Sequence, residues 1–322
     1  MEELREYQAI LEERINKLNF PEQPENLYDP LRYFLKLGGK RTRPTLTMLG
    51  CSLFGVPGIK AINAALAVEL FHNFTLIHDD IMDEAPLRRG KETVHEKWNT
   101  NIGILSGDVL FVEAYDHLSH HESDVLPKLL KIFSRTAKEV CEGQQMDMDF
   151  EGLDEVSIDE YIEMIRLKTS VLLGAALEMG ATVAKANEKE TQAIYDFGVN
   201  IGLAFQMQDD LLDLYADPDK FGKQVGGDIL AKKKTYLLLK AQELATPDQL
   251  ESLDRAMNQL EGDERINKVK TIFDEIGIKS HAEKVKNTYY KKALSNIDSI
   301  NVPEENKSAL LGLAKFLMER DH

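Results

Sequence analysis

The chain has 322 residues, with 39 Lys and Arg against 55 Asp and Glu, for a formal net charge of −16 at pH 7. Such acidity argues against nucleic acid as a partner, because nucleic acid selects basic faces. Two cysteines, Cys51 and Cys141, are too few for a disulfide framework, so the chain reads as a cytoplasmic protein with buried, inert thiols. The 43% of hydrophobic residues can fill a sizeable core. In chain order, the opening twenty residues are charged and amphipathic rather than a secretory signal. A glycine break follows, Leu37-Gly-Gly-Lys-Arg-Thr-Arg-Pro44. The apolar stretch from Ala64 to Ile77 is interrupted by Glu69, His72 and Asn73, which is too polar for stable membrane insertion. No proline stands between Pro127 and Pro218, so long helices are allowed there. Ser157-Ile-Asp-Glu160, Asn187-Glu-Lys-Glu190 and Ser280-His-Ala-Glu283 have the capping-box spacing, and Thr246-Pro247-Asp248-Gln249 adds proline in the first turn. Strand-length alternation of apolar and polar residues is hard to find. The reading is all-α, with roughly a dozen helices. Phe221-Gly-Lys-Gln-Val-Gly-Gly-Asp228 reads as a mobile interhelical loop, and beyond Lys232 the pattern turns to charged amphipathic helices that cover a core. Residues 1–322 are expected to form a single domain, with the chemistry in 38–235 and covering helices in 236–322.

Asp-Asp-x-x-Asp occurs twice, at Asp79, Asp80, Asp83 and at Asp209, Asp210, Asp213. With 24 Asp in the chain, one match arises by chance in roughly one sequence in eight and two in about one in a hundred. On a helix, residues at i and i+4 share a face, so each motif is expected to bring three carboxylates to one small volume. Leu76, Ile77, Ile81 and Met82 surround the first triad, and Phe205, Met207, Leu211 and Leu212 the second, which is too apolar for ordinary surface helices. Neighbouring carboxylates repel unless cations intervene, and hard oxygen donors without cysteine favour Mg²⁺.

Cations gather beside these features: Lys40, Arg41 and Arg43 in the Gly-Gly break, Arg88 and Arg89 after the first triad, Lys223 in the glycine loop, and Lys232, Lys233 and Lys234 after it. Arginine forks and lysine point charges suit phosphate oxygens, and carboxylate-held Mg²⁺ bridges the same oxygens. Two basic and two acidic groups suggest two diphosphates.

These residues resemble the trans-polyprenyl diphosphate synthases, which join isopentenyl diphosphate to an allylic diphosphate. The resemblance runs from Gly38 to about Thr235, through Gly-Gly-Lys-Arg-Thr-Arg-Pro, His-Asp-Asp-Ile-Met-Asp-Glu with Arg-Arg-Gly, Lys168-Thr169, Phe-Gln-Met-Gln-Asp-Asp-Leu-Leu-Asp, and Gly-Gly-Asp with Lys-Lys-Thr. It implies an all-α helical bundle around a deep central cavity, usually a homodimer, with the two triads facing each other. It further implies that Asp79, Asp83 and Asp209 are the principal ligands of three Mg²⁺, with Asp80, Asp210 and Asp213 in support. Arg88, Lys168, Lys223 and Lys233 resemble the cations of the allylic diphosphate site, and Lys40, Arg43, His72 and Arg89 those of the isopentenyl diphosphate site. Thr169 and Gln206 are similar to residues whose oxygens face the allylic cation.

In this family, bulky residues four or five positions before the first triad stop chain growth. Here these are Thr75 and Phe74, preceded by Phe71, which points to C15 or C20 products. The first triad lacks the two extra residues of many bacterial farnesyl synthases, which shifts weight towards geranylgeranyl-type or eukaryotic-like farnesyl enzymes. The alternatives are a long-chain polyprenyl synthase, a terpene cyclase, or a non-catalytic regulatory subunit. Cyclases typically lack the second triad and the Gly-Gly-Lys-x-x-Arg-Pro element, and a regulatory subunit would have degenerate triads.

Overall fold

A computed structural model describes residues 2–216 and 225–319 of the chain. These residues are helical almost throughout, and they divide into two compact units, each drawn from three stretches of sequence. Of the expected loop at 221–228, residues 221–224, and with them Lys223, lie outside the described residues, whereas Gly227 and Asp228 open a short helix instead of continuing a loop.

The first unit comprises Met1–Ser134, Ala175–Tyr195 and Asn301–Leu310. Its helices begin with α1 (Glu2–Asn16), α2 (Glu25–Lys36) and α3 (Thr42–Ser52), followed by a 3₁₀ turn at Gly58–Ala61 and α4 (Ile62–Met82). Every residue of α4 from Ala64 to Phe71 is buried, as a run that is apolar apart from Glu69 requires of a helix packed on all sides. Glu69 lies within that run, so its carboxylate needs partners: Arg41 Nη1 reaches it at 2.5 Å and Asn73 Nδ2 at 2.9 Å. After α4 the chain makes a short antiparallel hairpin, β1 (Leu87–Arg88) against β2 (Lys91–Glu92), then α5 (Val94–Lys97) and α6 (Thr100–Ser119). Residues from α7 (Leu126–Gly152), α9 (Val171–Val183), α10 (Glu188–Tyr215) and α16 (Glu304–Glu319) complete this unit.

The second unit comprises Arg135–Gly174, Asp196–Ile300 and Leu311–His322. It holds α8 (Ile158–Ile165), which passes through one π-helical stretch, Arg166–Ser170, into α9. After the main part of α10 come α11 (Gly227–Leu230), α12 (Tyr236–Leu244), α13 (Pro247–Gln259), α14 (Gly262–Ile276) and α15 (Ile278–Asp298). Its core is one apolar cluster that includes Met164, Met207, Leu211, Leu238, Met257 and Phe273.

Three of the four expected helix starts are present. Ser157 and Thr246 form full capping boxes with Glu160 and Gln249, and Asn187 Oδ1 accepts from the Glu190 amide at 3.0 Å. The fourth is a correction, since Ser280 lies inside α15. Gly277, with φ 82°, closes α14 and the next helix begins at once, so a serine two residues later has no end to cap. Cys51 is buried, and desolvation pushes its thiol up to about 12, but Cys141 is exposed on α7 and not buried as expected. No helix among the described residues is long and apolar enough to cross a membrane.

Candidate active site

In the first unit the basic residues meet at the break between α2 and α3. Gly38 and Gly39 have φ of 77° and 149°, where a side chain is strained. Arg89 folds back over them: its Nη1 donates to the Gly38 carbonyl, and a Cβ on Gly39 would lie 2.9 Å from Arg89 Nη2. Arg89 gets there because Arg89-Gly90 is the two-residue turn of the hairpin, with φ of 54° and 73°, the positive pair of a type I′ turn. Arg43 Nη1 lies 3.2 Å from His72 Nε2. Burial, and then Arg43, Arg89, Arg88 and Arg41, hold the His72 imidazole well below its usual range, so it is neutral and set among cations. Lys40 is exposed at the rim.

Arg41 is a correction to the sequence reading, which grouped it with Lys40 and Arg43. It is 4% exposed and occupied by Glu12 at 2.9 Å, Glu69 at 2.5 Å and the Leu35 carbonyl at 2.9 Å. It ties α1, α2 and α4 together rather than facing a ligand.

The first triad does not gather three carboxylates. Asp79 is half-buried on α4 and Asp83 is exposed at its C-cap, while Asp80, 1% exposed, turns inward. Arg88 Nε and Nη2 donate to Asp80 Oδ1 at 2.7 and 2.6 Å. The reason is angular: residues 79 and 80 are about 100° apart on a helix, so they cannot share a face. Thr75, one turn before Asp79, donates to the His72 carbonyl at 2.8 Å. Phe74, half-buried, packs in a cluster with Phe71, Phe111 and His78.

The second unit holds a cavity of about 380 Å³ lined by Lys168, Thr169, Gln206, Asp210 and Lys233, five residues that the sequence singled out, together with Asp147, Tyr161 and Asp228. The π-helical stretch carries Lys168 and Thr169, and a Cβ on Gly143 of α7 would come within 2.2 Å of the Lys168 amide nitrogen. That close approach lets Asp147, one turn after Gly143, accept from Lys168 Nζ at 2.5 Å. The Tyr161 hydroxyl donates to Asp210 Oδ2 at 2.6 Å, and Gln206 Nε2 lies 3.4 Å from Oδ1. Burial raises the Asp210 carboxyl to about 7 against the pull of the Tyr161 hydrogen bond. Asp209 and Asp213 are half-buried, and Asp213 Oδ2 accepts from the Asp228 amide at 3.1 Å. Of the three consecutive lysines, Lys232 is engaged by Asn258 at 3.1 Å and Lys234 by the Phe150 carbonyl at 2.6 Å. The Lys233 ammonium has no partner among the described residues.

Sequence reading missed Asp147 and Tyr161, and it quoted Asp228 in the Gly-Gly-Asp motif without giving it a role. Asp147 carried a signal, since Gly143 and Asp147 stand at i and i+4 on one helix face; Tyr161 carried none apart from its position in an apolar helix.

The donor set decides whether these residues suit a divalent cation. Among the described residues no three His, Cys, Asp or Glu side chains form a ready cage. The carboxylates that are not fully buried stand at i and i+4 on one helix face, Asp79 with Asp83 and Asp209 with Asp213. Mg²⁺ fits such sites, because it keeps several waters and takes one or two carboxylates together with substrate phosphates.

An all-helical protein with two aspartate-rich helices and separate clusters of Arg and Lys belongs to the class built for diphosphate chemistry. Residues 24–276 match the profile of the family described as polyprenyl synthetase. Over 321 residues, 99% of this chain and 98% of the relative, it is 38% identical to the geranylgeranyl pyrophosphate synthase of Geoglobus acetivorans. A crystal structure of a geranylgeranyl pyrophosphate synthase matches with a TM-score of 0.92 at 47% identity, covering 99% of both chains. The polyprenyl synthase of Caulobacter crescentus CB15, solved with calcium and isoprenyl diphosphate, matches with a TM-score of 0.83 at 28% identity, covering 100% of this chain and 96% of that one. The chain belongs to the polyprenyl synthetase family, the trans-prenyl diphosphate synthases that its motifs resemble.

Proposed function

We propose that this chain is a Mg²⁺-dependent prenyl transferase that adds isopentenyl diphosphate to dimethylallyl, geranyl and farnesyl diphosphates and delivers a C20 prenyl diphosphate and pyrophosphate. One observation carries this reading: cations and a neutral imidazole gather at one place in the chain, and carboxylates, two per motif, stand apart from them. Arg43, Arg89 and the neutral His72, with Lys40 at the rim, can hold one diphosphate through direct charge and hydrogen bonds. The paired carboxylates of the two aspartate motifs can hold another only through cations.

In this reading Asp79, Asp83 and Asp209 hold three Mg²⁺, supported by Asp80, Asp210 and Asp213. Bound Mg²⁺ supplies the electrostatic stabilisation that lets the allylic diphosphate leave. Arg88, Lys168, Lys233 and Lys223, the last outside the described residues, neutralise the same leaving group as its charge grows. The Thr169 hydroxyl and Gln206 carbonyl oxygens face the allylic carbocation and stabilise it. Lys40, Arg43, His72 and Arg89 position isopentenyl diphosphate so that its double bond attacks that carbocation, forming the new carbon–carbon bond. Loss of one proton, taken by the released pyrophosphate, restores an alkene. Exclusion of water protects the cation from capture.

Phe74 and Thr75 set the floor that ends elongation. Residues 1–322 act as one catalytic domain in the cytoplasm. A second copy covers the face of α6 where Ile104, Leu105 and Val112 are 42%, 56% and 67% exposed, an apolar stripe that a homodimer would bury.

Purified protein given Mg²⁺, isopentenyl diphosphate and each primer should release pyrophosphate and yield C20 prenyl diphosphate, with chelation abolishing turnover and added Mg²⁺ restoring it. Absence of turnover with every primer would refute the transferase reading. Phe74→Ala should lengthen the product, and an unchanged distribution would return Phe74 to the core.

A further inference from the structure

The acidic charge of the chain is concentrated in one stretch. From Glu139 to Ile165 the sequence holds ten Asp and Glu and no Lys, Arg or His. Within the second unit, the later part of this stretch lines a groove of about 840 Å³. One wall is the connection from α7 to α8 with the first residues of α8, from Asp154 to Asp159. The other is the end of α12, with Leu239, Lys240 and Glu243, together with Leu250 of α13. The floor is apolar: Leu239 is buried, Val156 and Ile158 are half-buried, and Leu250 is 39% exposed. Leu153 and Leu244, the chain neighbours of Asp154 and Glu243, are 47% and 39% exposed, so three uncovered leucines stand at or beside one groove. The rim is acidic. Asp154, Glu155 and Asp159 are exposed and have no ion pair among the described residues. The one base in the lining, Lys240, is already held by Glu243 at 2.9 Å. Capping boxes at Ser157 and Thr246 fix the starts of α8 and α13, so both walls are anchored in capped helices.

We propose that this groove is a docking site for a basic amphipathic helix of a partner protein. A small molecule needs free polar groups inside its pocket to orient it. Here they are occupied, the Ser157 hydroxyl by Glu160 and the Lys240 ammonium by Glu243. What remains is an apolar floor and an unpaired negative rim. That is the complement of a helix with apolar anchors on one face and Lys or Arg beside them. The rim steers such a helix onto the groove, and the floor supplies most of the affinity, since exposed charge pairs contribute little and buried apolar area contributes more. The groove lies outside the residues assigned to catalysis but shares their supports. α8 runs through the π-helical stretch to Lys168 and Thr169, and α12 begins just after Lys233 and Lys234. A docked helix thus rests on both elements that lead to those lysines.

The test uses the full chain and a fluorescein-labelled peptide of about 14 residues, some four helical turns, with leucines on one face and lysines on the other. Fluorescence anisotropy in about 150 mM salt, where distant surface charges are screened, gives its Kd. A scrambled peptide of equal composition, with the leucines spread around the helix, should bind about tenfold more weakly. The Leu250→Asp protein should show a similar loss, about tenfold, the scale of one apolar anchor. Asp154→Lys combined with Glu155→Lys should also weaken binding about tenfold, chiefly through a slower on-rate. These three side chains are exposed, so circular dichroism and prenyl transfer should stay at wild-type levels in both variants. Equal affinity for the patterned and scrambled peptides, or an unchanged Kd in both variants, would overturn the proposal by reducing the binding to diffuse charge. Displacement of the peptide by an equal concentration of spermine would overturn it in favour of a small organic cation. Association beyond the proposed dimer in sedimentation velocity, lost in the same variants, would overturn it by giving the groove to a second copy of this chain.

Discussion

Replacing Arg41 by methionine tests the claim that this motif arginine supports the fold and does not bind diphosphate. Arg41 and Glu69 side chains are 2% and 4% exposed and 2.5 Å apart. Removing the guanidinium leaves the Glu69 carboxylate buried with Asn73 Nδ2, at 2.9 Å, in place of a cation. Breaking a buried pair from one side costs about 3–5 kcal/mol. That is a large share of the roughly 5–15 kcal/mol by which a domain is folded. The second partner, Glu12, is 43% exposed and regains water, so it adds little. The Leu35 carbonyl loses the Arg41 Nη2 donor at 2.9 Å. Replacing Glu69 by methionine as well removes the stranded charge, and Asn73 keeps the Glu69 backbone carbonyl at 2.7 Å. The double variant should therefore recover most of the loss, with about 1–3 kcal/mol left for the Leu35 carbonyl. Urea unfolding followed by circular dichroism reads both numbers. An Arg41→Met protein within about 1 kcal/mol of wild type, or a double variant no more stable than the single, would refute the assignment.

Gly39→Ala forces a Cβ to within 2.9 Å of the Arg89 guanidinium at a φ of 149°. It should raise the KM for isopentenyl diphosphate about tenfold, the worth of one charge-assisted hydrogen bond, and leave the KM for the allylic primer nearly unchanged; equal rises in steady-state assays would contradict the separation of the two seats. His72 is held well below its ordinary 6.5 by burial and then by Arg43, Arg89, Arg88 and Arg41. Its folded value lies below its unfolded one, so the unfolded chain binds the extra proton and stability falls as pH drops through about 6.5. His72→Gln should flatten that slope between pH 7.5 and 5.5 in urea titrations, and an unchanged slope would assign the acid sensitivity elsewhere. Asp147→Ala should lower kcat about tenfold by releasing Lys168 while costing less than about 1 kcal/mol of stability, because both side chains are a quarter to a third exposed; partial rescue by Asp147→Glu distinguishes positioning from packing.

The helical class was legible because its signals are local. Ser157 and Thr246 cap helices through bonds made three residues away, and the proline-free stretch permits α7 to α10. The hairpin at Leu87–Glu92 was not legible, since two-residue strands are too short to display a period of two. Its one signal, Arg89-Gly90, is weaker than the Asn-Gly or Asp-Gly turns that announce hairpins. The π-helical stretch at Arg166–Ser170 was equally silent. The close seat of Gly143 against the Lys168 amide joins residues 25 positions apart, so nothing near Lys168 in the sequence records it. Lys232, Lys233 and Lys234 looked equivalent as a run, and only tertiary partners show that Asn258 and the Phe150 carbonyl occupy the outer two.

The repeated Asp-Asp-x-x-Asp pattern reads differently once burial is known. In both copies the middle carboxylate turns into the protein, and in both it meets a donor: Arg88 for Asp80, Tyr161 for Asp210. This follows from helix geometry, since a residue about 100° from the first aspartate faces inward when the first faces out, and a buried carboxylate without a donor would cost several kcal/mol, roughly, in desolvation. The outer members, Asp79 with Asp83 and Asp209 with Asp213, remain half-buried or exposed. The motif is thus divided: one aspartate per copy pins a basic or hydroxyl side chain, and the other two would meet cations in the proposed reaction. Of the −16 net charge, Asp80 is already answered by Arg88, and Asp210, with its carboxyl at about 7, is only part-ionised at neutral pH. Before any cation binds, the two motifs therefore carry less uncompensated negative charge than six aspartates would suggest.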